Sequence, residues 1–315
     1  MTTNLKSGLS AYRDRIDSRL AVLVPQALPG QSELDAAIAE SILAPGKRLR
    51  PLMAALTAED LGGDVETAID AGCAVEMVHA ASLVLDDLPC MDNAAMRRGR
   101  PAIHMTFGED VAVLSSIAVL AGAFQLLATI PGLAARERSE AIAILTRAVG
   151  TAGLVGGQFE DLRGGRATRA LSEIATTNGL KTGSLFSAAV EIGAVVAGAN
   201  GRVRALLRDF AADLGHAFQL LDDLLDGTSS AVLIGKDVGK DQGKSTIVSL
   251  IGRPSVMHRI ERHLADAHQR LSEVFGPTNR MHMLLDLIFD KALAGSLEPL
   301  GVAAAERRDP GAGAR

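Results

Sequence analysis

Two short segments concentrate carboxylates in a way that calls for an explanation: Asp86-Asp87-Leu88-Pro89-Cys90-Met91-Asp92 and Asp222-Asp223-Leu224-Leu225-Asp226. In the second, a helical twist of about 100° per residue puts Asp222 and Asp226 on one face, with Asp223 beside Asp226 at three residues' spacing. Three like charges on one helical patch repel, and toward the C-terminal end of a helix the macrodipole adds to the cost. In the first, Asp92 follows Asp86 by six residues and on a regular helix would point about 240° away. Pro89 cannot donate a helical hydrogen bond and disfavours helix at Leu88, so the chain should bulge there and bring Asp92 back toward Asp86. A solvated helix end would account for one such cluster. It does not account for two, each following an apolar stretch (Ala80 to Leu85, Phe218 to Leu221), because unpaired buried carboxylates are costly. Donor sets made only of oxygen imply a hard ion, Mg²⁺ or Mn²⁺, kept partly hydrated and shared with a substrate phosphate.

Cations follow the same logic. Gly46-Lys47-Arg48-Leu49-Arg50-Pro51, Arg97-Arg98-Gly99-Arg100, Lys181-Thr182 and the run from Lys236 to Lys244 are short basic groups set among Gly and Pro. Arg offers a planar fork for phosphate oxygens and Lys a point charge. Each group alone reads as an exposed loop. Together with metal-binding carboxylates in one apolar chain they suggest a diphosphate substrate. A nucleotide-binding P-loop within Lys236 to Thr246 is rejected, because Gly239 and Gly243 are separated by three residues where the motif needs four, and no strand precedes them. Gly156-Gly157 lacks a dinucleotide fingerprint, and no Ser sits in the Gly-x-Ser-x-Gly elbow of a hydrolase.

These residues must be positioned by a chain of 315 residues, 48% hydrophobic and 22% charged, with a net charge of -5. That charge offers no cationic field to nucleic acid, and with 8 Phe, 1 Tyr and no Trp, base stacking is unsupported. Cys73 and Cys90 alone make neither a disulfide framework nor a thiolate metal site, which suggests a reducing compartment, the cytoplasm by default. Met1 to Leu20 has charged residues and no apolar run, so a secretory signal is not expected. Val111 to Leu133 carries no charge and could span a bilayer by length. Ser115, Ser116, Gly122, Gln125 and Thr129 dilute its apolarity, so it reads as a central buried helix with no transmembrane role, covered inside a bundle or at a subunit interface.

Apolar residues three and four apart predict helices over Val65 to Leu88, Asp110 to Ile130, Arg138 to Leu162, Leu171 to Gly198 and Arg202 to Asp226. The breaks fall at Gly62-Gly63, Pro131-Gly132, Gly164-Gly165 and Asn200-Gly201. No alternating run of strand length stands out, and no break is long enough for a domain linker. The reading is one all-α domain over 1–315, with its core about 32–300 and a polar mobile tail over 305–315.

Taken in order, the first aspartate segment, Arg97-Arg98-Gly99-Arg100-Pro101, Gly157-Gln158, Lys181-Thr182, Phe218-Gln219 and the second aspartate segment resemble the trans-isoprenyl diphosphate synthases. The likeness is greatest to the bacterial geranylgeranyl diphosphate synthases of carotenoid pathways, over roughly Ser32 to Leu300. The resemblance implies an isoprenoid-synthase helical bundle working as a homodimer, with the two motifs facing each other across a deep central cavity. It implies three Mg²⁺ ions, replaceable by Mn²⁺, bridging Asp86, Asp87, Asp92, Asp222 and Asp223 to an allylic diphosphate, with Asp226 in support. Arg97, Lys181, Thr182, Gln219 and Lys236 are then the remaining allylic contacts, and Lys47, Arg50, His79 and Arg98 match the isopentenyl diphosphate site. The allylic substrates would be dimethylallyl, geranyl and farnesyl diphosphate. Ionisation, attack by the isopentenyl double bond and proton loss to the departing diphosphate would follow, without a protein nucleophile.

Product length is read from the helix before the first motif. If the growing tail runs antiparallel to it, Ser82 and Ala81 lie about 6 to 7.5 Å below the metal site, and both are small. Farnesyl-producing relatives commonly carry an aromatic residue five positions before the motif, where this chain has Ala81. The tail should therefore pass and stop deeper, with Met77 and Val78 as candidate floor residues, and a C20 product is expected. Leu85 in place of a common His, and Asn93-Ala94-Ala95 in place of an acidic run, also look like the carotenoid-type members. The rivals are a farnesyl diphosphate synthase, a terpene cyclase of the same fold and a non-enzymatic bundle. The isopentenyl-site residues count against the cyclase, and the paired aspartate clusters against the bundle.

Overall fold

The computed structural model describes the backbone of residues 2–164, 170–226 and 247–297, and the side chains of all but the outermost of these. Lys236, the whole run from Lys236 to Lys244 and the proposed tail 305–315 lie outside the described residues. The chain is helical: α1 (Thr2–Leu23), α2 (Ser32–Leu43), α3 (Leu49–Asp60), α4 (Val65–Asp86), α5 (Ile103–Phe107), α6 (Glu109–Thr129), α7 (Ala135–Val149), α8 (Leu154–Gly164), α9 (Leu171–Asn178), α10 (Ser184–Val196), α11 (Gly201–Asp226), α12 (Ile247–Phe275) and α13 (Arg280–Leu297). Among the described residues the only sheet is a two-residue antiparallel ladder, β1 (Met96–Arg97) with β2 (Arg100–Pro101).

Helices α4 and α10 are the spine, each buried along most of its length. Their small residues let neighbours approach closely. A Cβ on Gly72 would meet the Pro51 Cα at 2.6 Å, and one on Gly193 would meet the Ala54 carbonyl at 2.4 Å, so α3 is wedged against both helices. The start of α4 is fixed by Asp64, whose carboxylate accepts from the Thr67 N–H at 2.8 Å. Helices α11 and α12 pair antiparallel, as the contacts Leu224 with Arg253, Asp213 with His263 and Asp209 with Arg270 run in opposite order. Helix α12 bends at Gly252 (φ 77°), two residues before Pro254. Buried Glu191 of α10 gathers Arg208 at 2.8 Å, Arg147 at 3.4 Å and Arg204 at 3.9 Å, tying α7 and α11 to the spine.

The structure differs from the sequence expectations in three places. The helix expected over Arg138 to Leu162 is two, because the chain turns between Val149 and Leu154, where Gly150 leaves the helical region and a Cβ on Gly153 would strike the Ala148 carbonyl at 2.2 Å. The helix expected over Leu171 to Gly198 is interrupted by one π-helical turn, Gly179–Gly183. The short ladder falls where no strand was expected. Helix α6, expected to be covered inside the bundle or at a subunit interface, leaves Leu114 55% and Ile117 57% exposed on the single chain, which excludes full cover by the bundle and leaves the interface alternative.

Candidate active site

The first aspartate segment closes as its proline dictates. Helix α4 ends at Asp86, the Asp92 N–H donates to the Asp86 carbonyl at 2.9 Å, and the Asn93 and Ala94 N–H groups donate to the Leu88 and Asp87 carbonyls at 3.0 Å each. Asn93 takes a left-handed conformation (φ 49°) to allow the return, which Asn tolerates better than most residues. Asp92 is thus folded back over Asp86. Burial pushes the Asp86 carboxyl up from 3.8 to about 6, with Asp92 and Asp87 adding to the rise and Lys181 and Arg97 opposing it. The donor set is oxygen only and is under mutual repulsion, which fits a hard divalent cation. Asp87 is placed differently from its neighbours. It is 2% exposed and gripped by Arg97, whose Nε lies 3.0 and 3.1 Å from the two carboxylate oxygens and whose Nη2 also donates to it.

The π-helical turn carries Lys181 and Thr182, and their side chains serve different partners. Lys181 Nζ donates to Asp161 of α8 at 3.0 Å. Burial works against its charge, but Asp86, Asp161 and Asp92 outweigh burial and raise its pKa. Thr182 Oγ1 donates to the Gln219 carbonyl oxygen at 3.1 Å, and the Gln219 amide donates to Asp223 Oδ1 at 3.0 Å. One turn of backbone therefore carries both Lys181, bonded to Asp161 and within the field of Asp86 and Asp92, and Thr182, which reaches Asp223 of the second segment through Gln219. Asp222 and Asp223 are half-buried, and Asp226 is the last residue of α11, its side chain outside the described set. Helix α8 reaches this turn because position 157 is glycine: a Cβ there would meet the Lys181 nitrogen at 2.5 Å.

A second cationic group lies beside the first. The ladder β1–β2 turns on Arg98 (φ 53°) and Gly99 (φ 76°), both left-handed as a two-residue type I′ hairpin requires. Arg at the first of these positions is strained, and the strain places its guanidinium 3.5 Å from His79 Nε2 and against the Gly46 loop. Arg50 sits over the Phe186 ring, 4.9 Å from its centroid, with its Nε buried and unpartnered. Burial pushes Arg50 down to about 10, with Glu76 opposing and Arg98 adding to the fall. His79 is held well below its usual range, first by burial and then by Arg50 and Arg98, so it is neutral. Lys47 is exposed on the same loop. A cleft lined by Ala44, Ala80, Leu83, Asp87, Arg97 and Arg98 opens between α2, α4 and the hairpin. Phe186 meets Phe218 edge-on at 5.4 Å, so the apolar floor under Arg50 continues to the residue before Gln219.

Sequence reasoning missed Arg48 and Glu76. Arg48, 4% exposed and left-handed (φ 51°), bonds Asp17 at 2.8 Å, Glu76 at 3.2 Å and the Ala44 carbonyl at 2.9 Å, and so locks the Gly46 loop. It stands inside the basic run Lys47 to Arg50, and nothing in the run separates a structural arginine from a ligand-facing one. On α4, residues Val78, Ala81, Ser82 and Leu85 form one stripe at helical spacing. Ser82 bonds its own helix at the His79 carbonyl at 2.9 Å, and Ala81 and Val78 are fully buried. Met77 lies about 100° away from Val78, pressed against Gly122 of α6. Asp213, His263 and Asp266 bring donor atoms within 4.8 Å of one another between α11 and α12. Asp213 is taken by Arg270 at 2.8 Å, which makes the group an ion-paired strut.

The polyprenyl synthetase family model matches residues 31–281, a span that holds both aspartate segments and every candidate site residue named above. The chain belongs to the polyprenyl synthetase family. Among its relatives is the geranylgeranyl diphosphate synthase of Pantoea ananas, 44% identical over 302 residues, a match covering 93% of this chain and 99% of that protein. The enzyme of the same name from Pseudescherichia vulneris is 41% identical, covering 93% and 97%. Among solved structures, a geranyltransferase from Helicobacter pylori complexed with magnesium and isoprenyl diphosphate superposes with a TM-score of 0.81 at 28% identity, covering 92% of this chain and 97% of that one. As a polyprenyl synthetase the protein is all-α, a transferase of isoprene biosynthesis, and its family uses divalent metal to hold diphosphate.

Proposed function

We propose that this protein is a geranylgeranyl diphosphate synthase, condensing isopentenyl diphosphate with dimethylallyl, geranyl or farnesyl diphosphate until the chain reaches C20. The observation that carries the reading is the single π-helical turn on which Lys181 lies in the field of Asp86 and Asp92 while Thr182 reaches Asp223 through Gln219. Asp86 and Asp92 on one side, with Asp222, Asp223 and Asp226 on the other, are the residues that would hold three Mg²⁺ ions, for which Mn²⁺ could substitute. Asp87 orders this set through Arg97. The bound metal supplies Lewis-acid stabilisation of the charge that develops on the diphosphate leaving group. Lys181 adds a fixed positive charge to the same group.

Arg50, Arg98 and Lys47 hold the diphosphate of the second substrate, and His79, beside Arg98, can hydrogen-bond to it. The Phe186 and Phe218 rings keep water from the allylic cation, which would otherwise be hydrolysed. Small side chains at Ala81 and Ser82 leave the stripe on α4 open to a long tail, and this favours C20 over C15. The exposed, uncharged face of α6 supports a homodimer, with a second copy covering Leu114 and Ile117. A cytoplasmic protein without a membrane span is the accompanying reading, from the polar Ser115, Ser116, Gln125 and Thr129 within that helix.

Purified protein incubated with Mg²⁺, isopentenyl diphosphate and each allylic primer should release a C20 diphosphate. Absence of any condensation product refutes the activity, and a C15 end product refutes the chain length. Sedimentation at the assay concentration should give twice the chain mass.

A further inference from the structure

Glu76 is left unused by the reading above, yet three arginines gather around it. A Cβ on Gly46 would meet Arg98 Nη1 at 3.1 Å and Arg48 Nη1 at 3.4 Å, so these two guanidiniums lie side by side on the Gly46 loop. Helix α4 meets the start of α3 where Gly72 presses on Pro51, which brings Glu76, one turn further along α4, into the field of Arg50. Glu76 Oε1 accepts from Arg48 Nη1 at 3.2 Å. Burial is the largest influence against the charges of Arg50 and Arg98; Arg98 adds to it at Arg50, Arg48 adds to it at Arg98, and Glu76 opposes it at both. Two carboxylates meet Arg48, but the Asp17 side chain is 47% exposed and screened by solvent, whereas that of Glu76 is 3% exposed. Glu76 Oε2 is buried without a hydrogen-bond partner among the described residues, so this carboxylate acts on Arg50 and Arg98 through its charge and not through hydrogen bonds.

We propose that Glu76 is a positioning residue of the second-substrate site: its charge offsets the mutual repulsion of Arg48, Arg50 and Arg98 in the empty site and limits how tightly that site grips a diphosphate. This rests on the prenyl-transfer reading of the site. A diphosphate held by Arg50, Arg98 and Lys47 brings negative charge of its own, and a resident anion nearby repels it. Glu76 thus lowers affinity while ordering the empty site. The chemistry requires such a limit, because after each condensation the elongated chain carries the diphosphate that came with isopentenyl diphosphate. That diphosphate must leave the arginines and move to the aspartate segments before the next round.

The test compares Glu76→Gln, which keeps the length and an acceptor for Arg48 but loses the charge, with Glu76→Asp, which keeps the charge and draws it back along the side chain. The wild-type enzyme must first condense isopentenyl diphosphate with geranyl diphosphate; if it does not, the prenyl-transfer reading has failed, independently of Glu76. Given turnover, Glu76→Gln should lower the KM for isopentenyl diphosphate and the kcat together, each by roughly 3- to 10-fold, while the KM for geranyl diphosphate stays within about twofold. Glu76→Asp should keep all of these within about twofold of the wild type, because charge acts at a distance. In calorimetry the ligand-free Gln variant should melt below the wild type, and saturating isopentenyl diphosphate should raise it by more degrees than it raises the wild type. A KM for isopentenyl diphosphate that is unchanged or raised in Glu76→Gln overturns the proposal. So does a Glu76→Asp variant that departs from the wild type as far as the Gln variant does, since that indicates a hydrogen-bonding role. Should Glu76→Gln not fold, the double variant Arg48→Gln with Glu76→Gln removes one charge of each sign. It should fold and keep the KM for isopentenyl diphosphate within about threefold of the wild type, and failure on either count overturns the proposal.

Discussion

Asp86→Asn makes the conflict between stability and chemistry measurable. The Asp86 carboxyl is displaced from 3.8 to about 6 by burial and by its acidic neighbours, Lys181 only partly compensating. A displacement from 3.8 to about 6 corresponds to a ceiling of about 3 kcal/mol of destabilisation once the group is charged. Below pH 3.8 the carboxyl is neutral both folded and unfolded, so the penalty is absent. It grows as the pH rises toward 6, reaching about half its value at pH 5, and is complete above pH 6. Asn is neutral throughout and escapes it. Metal-free Asp86→Asn protein should therefore melt several degrees above the wild type at pH 8, at roughly 2–4 °C per kcal/mol, and the gap should narrow at pH 5. Adding Mg²⁺ with a non-ionisable allylic analogue should raise the wild type and leave the variant nearly unmoved, while condensation activity falls by roughly 10²–10³. Scanning calorimetry in chelator at the two pH values reads the effect directly. A variant that melts below the wild type at pH 8, or a gap that does not shrink on acidification, refutes the account of Asp86 as a carboxylate kept in reserve for a cation.

Three further changes probe other parts of the molecule. Ala81→Phe puts a ring on the stripe shared with Ser82 and Leu85 and should shorten the product from C20 to C15; chromatography of the dephosphorylated products that still shows C20 refutes this placement of the tail. Arg98→Gly relieves a left-handed non-glycine residue, worth about 1 kcal/mol, so the melting temperature should hold or rise. The same change removes a cation, and the KM for isopentenyl diphosphate should increase at least tenfold while that for the allylic substrate moves little. Gly157→Ala drives a methyl to within 2.5 Å of the Lys181 backbone nitrogen, which cannot give way cheaply. It should lower both kcat and thermal stability, and a variant as active and as stable as the wild type refutes the close approach of α8 to the turn.

Much of this was legible before any coordinates. Pro89 alone implied that Asp92 returns to Asp86, and the backbone bond between them is what that return produces. The helices of the spine were readable because Gly and Pro punctuate long Ala- and Leu-rich runs. The break before α8 also had a signal, four glycines between 150 and 157, which strong flanking periodicity masked. The π-helical turn had only a weak one, the glycines 179 and 183 at its two ends, which mark a soft spot in a helix without saying that packing against α8 and α11 selects a wider turn there. The hairpin escaped because two-residue strands carry no periodicity and Arg-Gly is not a usual type I′ pair. Which arginine binds a carboxylate and which stays free, as between Arg97 and Arg98, depends on tertiary placement that residue type does not encode.

The wide turn at Gly179–Gly183 amounts to a one-residue surplus spliced into an otherwise continuous rod. Everything C-terminal to it in α10 is rotated relative to α9 by that surplus, so the buried faces of the two halves belong to different phases. Deleting a single residue from the turn would restore a straight rod while swinging the Phe186 and Glu191 face out of register with α3, α7 and α11. The seam is thus bound to the packing of its flanks, and length changes there should be far less tolerated than in the surface connections between helices.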